Sequence, residues 1–241
     1  MGRAKGGSPK RGGRPRAGQE SLSRGRILEA ALRLVDEEGI GALSMRRLGA
    51  ELGVNPMSIY HHLPGKDAVI SGLVELVFSG MGVRYSDGSP WQYQVRAWAG
   101  AYRDLARSHP NLVLEIVTNA AAVTEAVLLV NEPLYAALDE AGLPPAEVVV
   151  AADSVVDFIH GFAIAEGAQP PGHPFDRREL LERLEAGAID DLPTMSRVFR
   201  ALPADEARYD FDRGFDASLG ILLKGIEPSA VDAGRFGEDS L

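Results

Sequence analysis

The chain has no cysteine, which excludes disulfides, zinc–thiolate sites and thiol nucleophiles together. Lysine is almost as scarce, with four against 21 arginines. Alongside abundant Ala, Gly and Pro, that bias fits a GC-rich genome and carries no mechanism. No segment alternates apolar and polar residues as a half-buried strand does, so the fold reads as all-α. No apolar run reads as long enough to cross a bilayer, because the most apolar one, 148–165, is interrupted by Asp153, Asp157 and His160. The basic N-terminus has no apolar segment behind it and is not a secretory leader. A cytoplasmic protein without a membrane partner is expected. Nucleotide-binding loops, nucleophile elbows and metalloprotease motifs are missing as well, so the reading is of a non-enzyme needing no cofactor and no metal.

Charge, by contrast, is present and unevenly divided. The net charge of −9 splits into +5 over residues 1–70 (12 Lys and Arg against 7 Asp and Glu) and −14 over residues 71–241 (13 against 27). A basic front on an acidic body implies that the front meets a polyanion and the body is held away from it. Residues 1–20 are rich in Gly, Arg, Lys and Pro and read as a disordered basic arm. Within it, Arg11, Arg14 and Arg16 stand in a Gly-Arg-Pro run resembling an AT-hook, whose arginines enter narrow minor grooves. The same composition describes a solvated tail that adds only nonspecific phosphate affinity, and both readings stand.

The most informative stretch runs from Ser44 to Lys66. Ser44 can cap a short helix on which Leu48 and Leu52 share a face, and Gly53 stops it. Asn55 caps a second helix of about seven residues, with Pro56 at its first position, where a missing N–H costs nothing. Two helices around a Gly-containing turn, the second carrying Ser58, Tyr60, His61 and His62, form a helix-turn-helix pattern. Before it, Ile27, Ala30, Ala31, Leu34 and Val35 mark a helix starting near Ser21 or Ser23 and ending at Gly39 and Gly41. After it, Pro64-Gly65-Lys66-Asp67 opens a helix running through Met81, which the Ser86–Pro90 cluster breaks.

Beyond Trp91 every segment reads as helical. Helices are expected over 91–108, 111–119 and 123–141, with His109-Pro110 as a break. The segment 146–168 is apolar on nearly all sides and reads as a buried helix. Residues 176–202, interrupted by prolines, suggest short mobile helices. A last helix over 205–226 puts Phe211, Phe215, Leu219, Leu222 and Ile226 on one stripe.

The segments ILEAALRLVDEEGIGALSMRRLGAELGV (27–54) and MSIYHHLPGKDAVISGL (57–73) resemble the TetR (tetracycline repressor) family of bacterial transcription regulators. The likeness is specific from about Ser23 to Val77 and elsewhere lies only in the helical layout. It divides the chain into the arm (1–20), a helix-turn-helix domain (21–66), an effector-binding and dimerisation domain (67–229) and a flexible tail (230–241). It implies a dimeric regulator, a repressor binding palindromic double-stranded DNA and released by a small molecule. Ser44 and Arg46 fall where the second helix meets DNA, while Asn55, Pro56, Met57, Ser58 and His61 fall where the recognition helix faces the major groove. Tyr60, His62 and Lys66 resemble phosphate-contacting residues, though His62 suits a packed, hydrogen-bonded side chain equally well. Residue chemistry agrees: Arg46 can grip guanine, Ser58 can bond either kind of base, Met57 can pack on a thymine methyl, and Lys66 can pair with phosphate. Arg47 reads as a solvated or phosphate-facing charge, Ile59 and Leu63 as core.

The resemblance also places an effector pocket in the second domain. Trp98, Tyr102, Glu115, Asn119, Asp157, Phe158, His160 and Phe162 supply apolar walls and polar handles for it, although aromatic residues at helical spacing are also ordinary core. Asp153, Asp157 and His160 fall on one helix face, as a ligand-binding or dimer-specifying stripe, a metal site or a hydrated edge. The tetracycline repressors hold a drug–magnesium chelate with His residues that have no counterpart at Met81–Asp87, so the expected effector is a different, bulky hydrophobic or aromatic compound. The dimer is expected to form through 146–168 and 205–226, with Val155, Ile159, Phe211, Phe215, Leu219 and Leu222 at the interface. Two other readings compete: an architectural DNA binder driven by the arm, and an all-α enzyme using Asp153, Asp157 and His160.

Overall fold

A computed structural model describes residues 21–118, 125–168, 179–180, 182–183, 192–203 and 209–226. The arm with Arg11, Arg14 and Arg16, the tail, and Asn119 lie outside the described residues. Among those described, regular structure is entirely helical. Helix α1 (Arg24–Glu38) is capped by the Ser23 side chain, which accepts from the Arg26 N–H. Its buried residues Ile27, Ala30, Ala31, Leu34 and Val35 form the expected stripe. A 3₁₀ turn, Ile40–Ala42, leads to α2 (Met45–Leu52) and α3 (Pro56–Tyr60). Helix α3 has five residues rather than about seven, because the chain leaves it through a turn over His61 and His62.

Helix α4 (Lys66–Ser79) links head to body and ends two residues before Met81. Its buried residues Val69, Ile70, Leu73, Val74, Val77 and Phe78 face both α1 and α7. The body follows as α5 (Trp91–Ser108), α6 (Pro110–Thr118), α7 (Glu125–Glu140), α8 (Pro145–Gly167), α9 (Pro193–Arg200) and α10 (Phe211–Ile226). Pro110 does not break the chain into a loop; it is the first residue of α6, where proline is at home.

Helix α8 departs from expectation in two ways. Formed as one helix of 23 residues, it is long and apolar enough to cross a membrane by length and composition alone, which the interrupting polar residues had argued against. One face packs on α5, α6, α7 and α10, burying Val148, Ala151, Ala152, Val155 and Ile159. The other face is open, so α8 is not buried all round. Val149 and Val150 are exposed there beside Asp153, Asp157 and Ile164, with Val150 at 65%. That places the acidic pair on the outer face of the helix.

Candidate functional site

The head is built by its caps. Ser44 Oγ accepts from the Arg47 N–H at 3.2 Å and Asn55 Oδ1 from the Met57 N–H at 2.9 Å, so both helices start where the sequence sets them. Gly53 takes a left-handed conformation (φ 66°) and its N–H closes α2. Gly49 is the residue the sequence reading missed. A Cβ there would lie 3.0 Å from Pro56 Cγ and 3.0 Å from the Val54 carbonyl oxygen, so its missing side chain lets α2 and α3 approach. The only sequence signal was a glycine inside an otherwise good helix. Ile59 and Leu63, fully or nearly buried, anchor α3 from beneath.

What remains on the outer face is a row of polar and amphipathic side chains. Arg46, Asn55, Met57, Tyr60, His61, His62 and Lys66 are exposed, and Pro56 and Ser58 half-buried. Met57, 63% exposed, has no structural reason to face water. Arg46 has no partner among the described residues. Arg47 instead pairs with Glu38 at 2.6 Å, an exposed pair that raises the affinity of its guanidinium for the proton. The Lys66 ammonium donates to the Ile40 carbonyl at 3.0 Å, so in this state it ties the start of α4 to the head.

In the body, the aromatic candidates separate into two groups. Trp98 and Tyr102 are buried and stacked with ring centroids 5.4 Å apart, and Trp98 Nε1 donates to the Val130 carbonyl at 2.7 Å. Tyr102 Oη lies 2.6 Å from His160 Nε2. Burial pushes the Tyr102 phenol up and holds it protonated. Burial likewise lowers the affinity of His160 for its proton, with nearby Asp157 opposing. The direction of this bond follows the imidazole tautomer: Tyr102 donates where Nε2 carries the lone pair and accepts where Nε2 carries the proton. Phe78 of α4 completes this group, its ring 5.6 Å from that of Tyr102.

Phe158 and Phe162 do not join them. They pack on Phe215 at 5.3 and 5.2 Å, and Phe162 also meets Phe211. Residues two apart on a helix point about 200° apart, so Phe158 and His160 serve different sides of α8. Glu115 is half-buried on α6 and is engaged. The Asp153, Asp157 and His160 set is also divided, with the two carboxylates exposed and the imidazole turned inward. No grouping of three metal-binding side chains occurs among the described residues.

The expected dimer contacts need correction. Val155, Ile159, Phe215 and Leu219 are at most 3% exposed within one subunit. A second chain cannot reach them, because the apolar stripes they mark face this subunit's own core. Phe211 and Leu222 are half-buried at its edge. The apolar surface left open on the same helices is Val149, Val150 and Ile164 of α8 and Ile221 of α10, the last 74% exposed.

Sequence reasoning also missed the polar ties between elements. Arg103, nearly buried on α5, forms a two-bond pair with Glu166 of α8 at 2.8 and 3.0 Å and reaches Asp212 of α10 at 2.9 Å. Its guanidinium also lies over the rings of Phe162 and Phe215. Glu166 and Asp212 stand 63 and more residues away, and no local pattern announces them.

Residues 27–73 match the model of the bacterial regulatory proteins of the tetR family, and residues 86–229 match the tetracyclin repressor-like C-terminal domain. The chain belongs to the TetR family of transcriptional regulators. An HTH-type transcriptional regulator of Saccharopolyspora erythraea is 30% identical over 87% of this chain and 86% of its own length. The HTH-type transcriptional repressor DrrR1 of Streptomyces coeruleorubidus is 29% identical over 96% and 84%. Among solved structures, Streptomyces coelicolor ActR in complex with actinorhodin matches with a TM-score of 0.68 and 25% identity, covering 86% of this chain and 97% of that one. BioQ with its double-stranded DNA operator matches in fold, with a TM-score of 0.61, 22% identity and coverage of 87% and 100%. As a TetR-family regulator the chain is a DNA-binding protein and not an enzyme.

Proposed function

We propose that this TetR-family regulator is a dimeric repressor that holds a palindromic operator and lets it go when a small hydrophobic or aromatic compound enters the body. The observation that carries the reading is α4, one helix from Lys66, tied to the head at Ile40, to Phe78, packed on Tyr102. A compound that inserts beside Trp98, Tyr102 and His160 presses on Phe78 and, through it, on the helix that carries the head. Relatives point the same way: a repressor, a protein bound to actinorhodin, and a protein bound to its operator.

On this reading Arg46, Met57, Ser58 and His61 read bases, while Tyr60, His62 and Arg47 meet phosphates once Arg47 leaves Glu38. The arm, residues 1–20, adds phosphate contacts, and Arg11, Arg14 and Arg16 follow the minor groove. Two copies pair through the open outer faces of α8 and α10, where Val149, Val150, Ile164 and Ile221 would be covered. Two heads then reach half-sites one helical turn of DNA or a multiple apart. Such a protein works in the cytoplasm, where its operator is.

The test is a nuclease footprint on DNA upstream of the chain's own gene, repeated with a panel of aromatic compounds. A protected palindrome cleared by one compound is expected. The reading fails if no palindrome is protected, or if protection persists against every compound that binds the protein.

A further inference from the structure

A second cavity lies outside the aromatic cluster, at the joint between head and body. It is a cleft of about 500 Å³ bounded by Leu32 of α1, Leu76, Val77 and Met81 at the end of α4, and Ala101, Asp104 and Leu105 of α5. That volume lies within the range of small-molecule sites. Its walls are divided between aliphatic side chains and polar groups, Asp104, Ser108 and His109 among them, and its lining contains no Lys or Arg. The Asp104 carboxylate is exposed and has no partner among the described residues; only its backbone carbonyl is used, accepting from Ser108 Oγ at 2.9 Å. The last basic residue nearby on α5, Arg107, is taken up by Glu166 and Asp212. His109, also in the lining, turns Nδ1 toward Asp36.

We infer that this cleft is a binding site for a small amphiphilic cation, its ammonium paired with Asp104 and its apolar body laid along Leu32, Val77, Met81 and Leu105. A carboxylate with no partner among the described residues, beside aliphatic side chains and in a body of net charge −14 over residues 71–241 (13 basic against 27 acidic), favours a cation and disfavours an anion. The site is separate from the proposed effector cluster and involves neither Trp98 nor His160. Leu32 belongs to the head and Asp104 to the body, so occupancy and head position are thermodynamically linked.

The test uses the full-length protein without DNA and two isosteric probes, 4-phenylbutylamine and 4-phenylbutanol, measured by calorimetry. The amine is expected to bind about tenfold more tightly than the alcohol, the gain of one charge-assisted contact. Asp104→Asn should bring the amine down to the affinity of the alcohol, and Ala101→Leu, which fills the cleft wall, should weaken both. The inference is overturned if the amine shows no binding, if the two probes bind alike, or if either folded variant keeps the wild-type amine affinity. Asp104 is exposed, with no side-chain partner among the described residues, so its variant remains a fair test even where Ala101→Leu fails to fold.

Discussion

His109 Nδ1 lies 3.0 and 3.1 Å from the two carboxylate oxygens of Asp36, joining the α5–α6 corner of the body to the end of the first helix of the head. Asn111 reinforces the joint, donating from Nδ2 to the Val35 carbonyl at 2.9 Å and the Asp36 carbonyl at 3.3 Å. Those carbonyls belong to the last turn of α1, where helical partners become scarce, and the Val35 carbonyl also accepts from the Gly39 N–H at 2.9 Å. Head and body are therefore latched at α1 as well as joined through α4.

Replacing His109 by Ala together with Asn111 by Ala removes the latch and leaves α4 intact. Stability should fall by about 1–3 kcal/mol, the net worth of a few hydrogen bonds including one with a charged acceptor. Chemical denaturation measures the loss. Operator affinity should change less than the ability of an effector to release DNA, because one of the two connections between the domains has gone. Equal losses in both would mean that the latch only supports the fold.

The arm makes a prediction that separates it from the head. Deleting residues 1–20 removes 6 Lys and Arg against one Glu. Operator binding should weaken, and the dependence of log K on log salt should become shallower, since fewer counterions are released. The order of preference among operator variants should stay the same. Titrations at several salt concentrations on matched and mismatched operators provide the readout. A complete loss of binding would favour the arm as the main DNA-binding element.

Gly49 gives a packing prediction. Gly49→Ala places a methyl group 3.0 Å from Pro56 Cγ and from the Val54 carbonyl oxygen, and the oxygen belongs to backbone that cannot turn away. Overpacking of this kind costs about 1–3 kcal/mol. It should also shift α3 against α2 and weaken operator binding beyond the stability loss. Gly41→Ala, which has nothing within 4 Å, is the matched control and should leave operator affinity intact.

The head was more legible in the sequence than the body, for a physical reason. Its elements are set by local chemistry: Ser44 and Asn55 cap, Pro56 starts, Gly53 stops, and each acts within a few residues. The body depends on contacts between distant segments. Arg103 with Glu166 and Asp212, and Gln94 donating to Glu140 at 2.7 Å, leave no local periodicity. Stripes on α8 and α10 were visible as apolar faces, but periodicity cannot tell whether a face meets its own subunit or another. Val155 and Phe215 therefore read as interface and proved to be core, while the open face with Val150 went unread. The Asp153, Asp157 and His160 spacing was real, yet only the two carboxylates stay exposed, while His160 meets Tyr102 of α5.

His160 yields a pH prediction whose sign follows from its burial. Its affinity for the proton is lowered in the folded chain, so between the unfolded value of about 6.5 and the lower folded value the unfolded state binds more protons. Stability therefore rises with pH through that window, is full above it, and is lost as pH falls through the folded value. A protonated ring can only donate to Tyr102 Oη, 2.6 Å away. In His160→Gln, the part of the acid-side loss that comes from this group should disappear, leaving a flatter stability curve over the same window. Urea unfolding at a series of pH values measures it, and an unchanged slope would mean that another group titrates there.

Arg103 should show that a buried charge matters most when its partner is left behind. Side chains of Arg103 and Glu166 are 8% and 17% exposed, so Arg103→Met removes the two-bond partner of Glu166 and leaves it only the longer pair with Arg107 at 3.7 Å. A loss of about 3–5 kcal/mol is expected for breaking such a pair on one side. The double variant Arg103→Met, Glu166→Met should recover much of it, because two well-packed apolar chains remove both desolvated charges at once. The comparison in one denaturation series separates pairing from packing. If the double variant is no more stable than the single one, the guanidinium contributes mainly through its contact with the two phenylalanine rings and with Asp212, and the link between α5 and α10 then rests on those contacts.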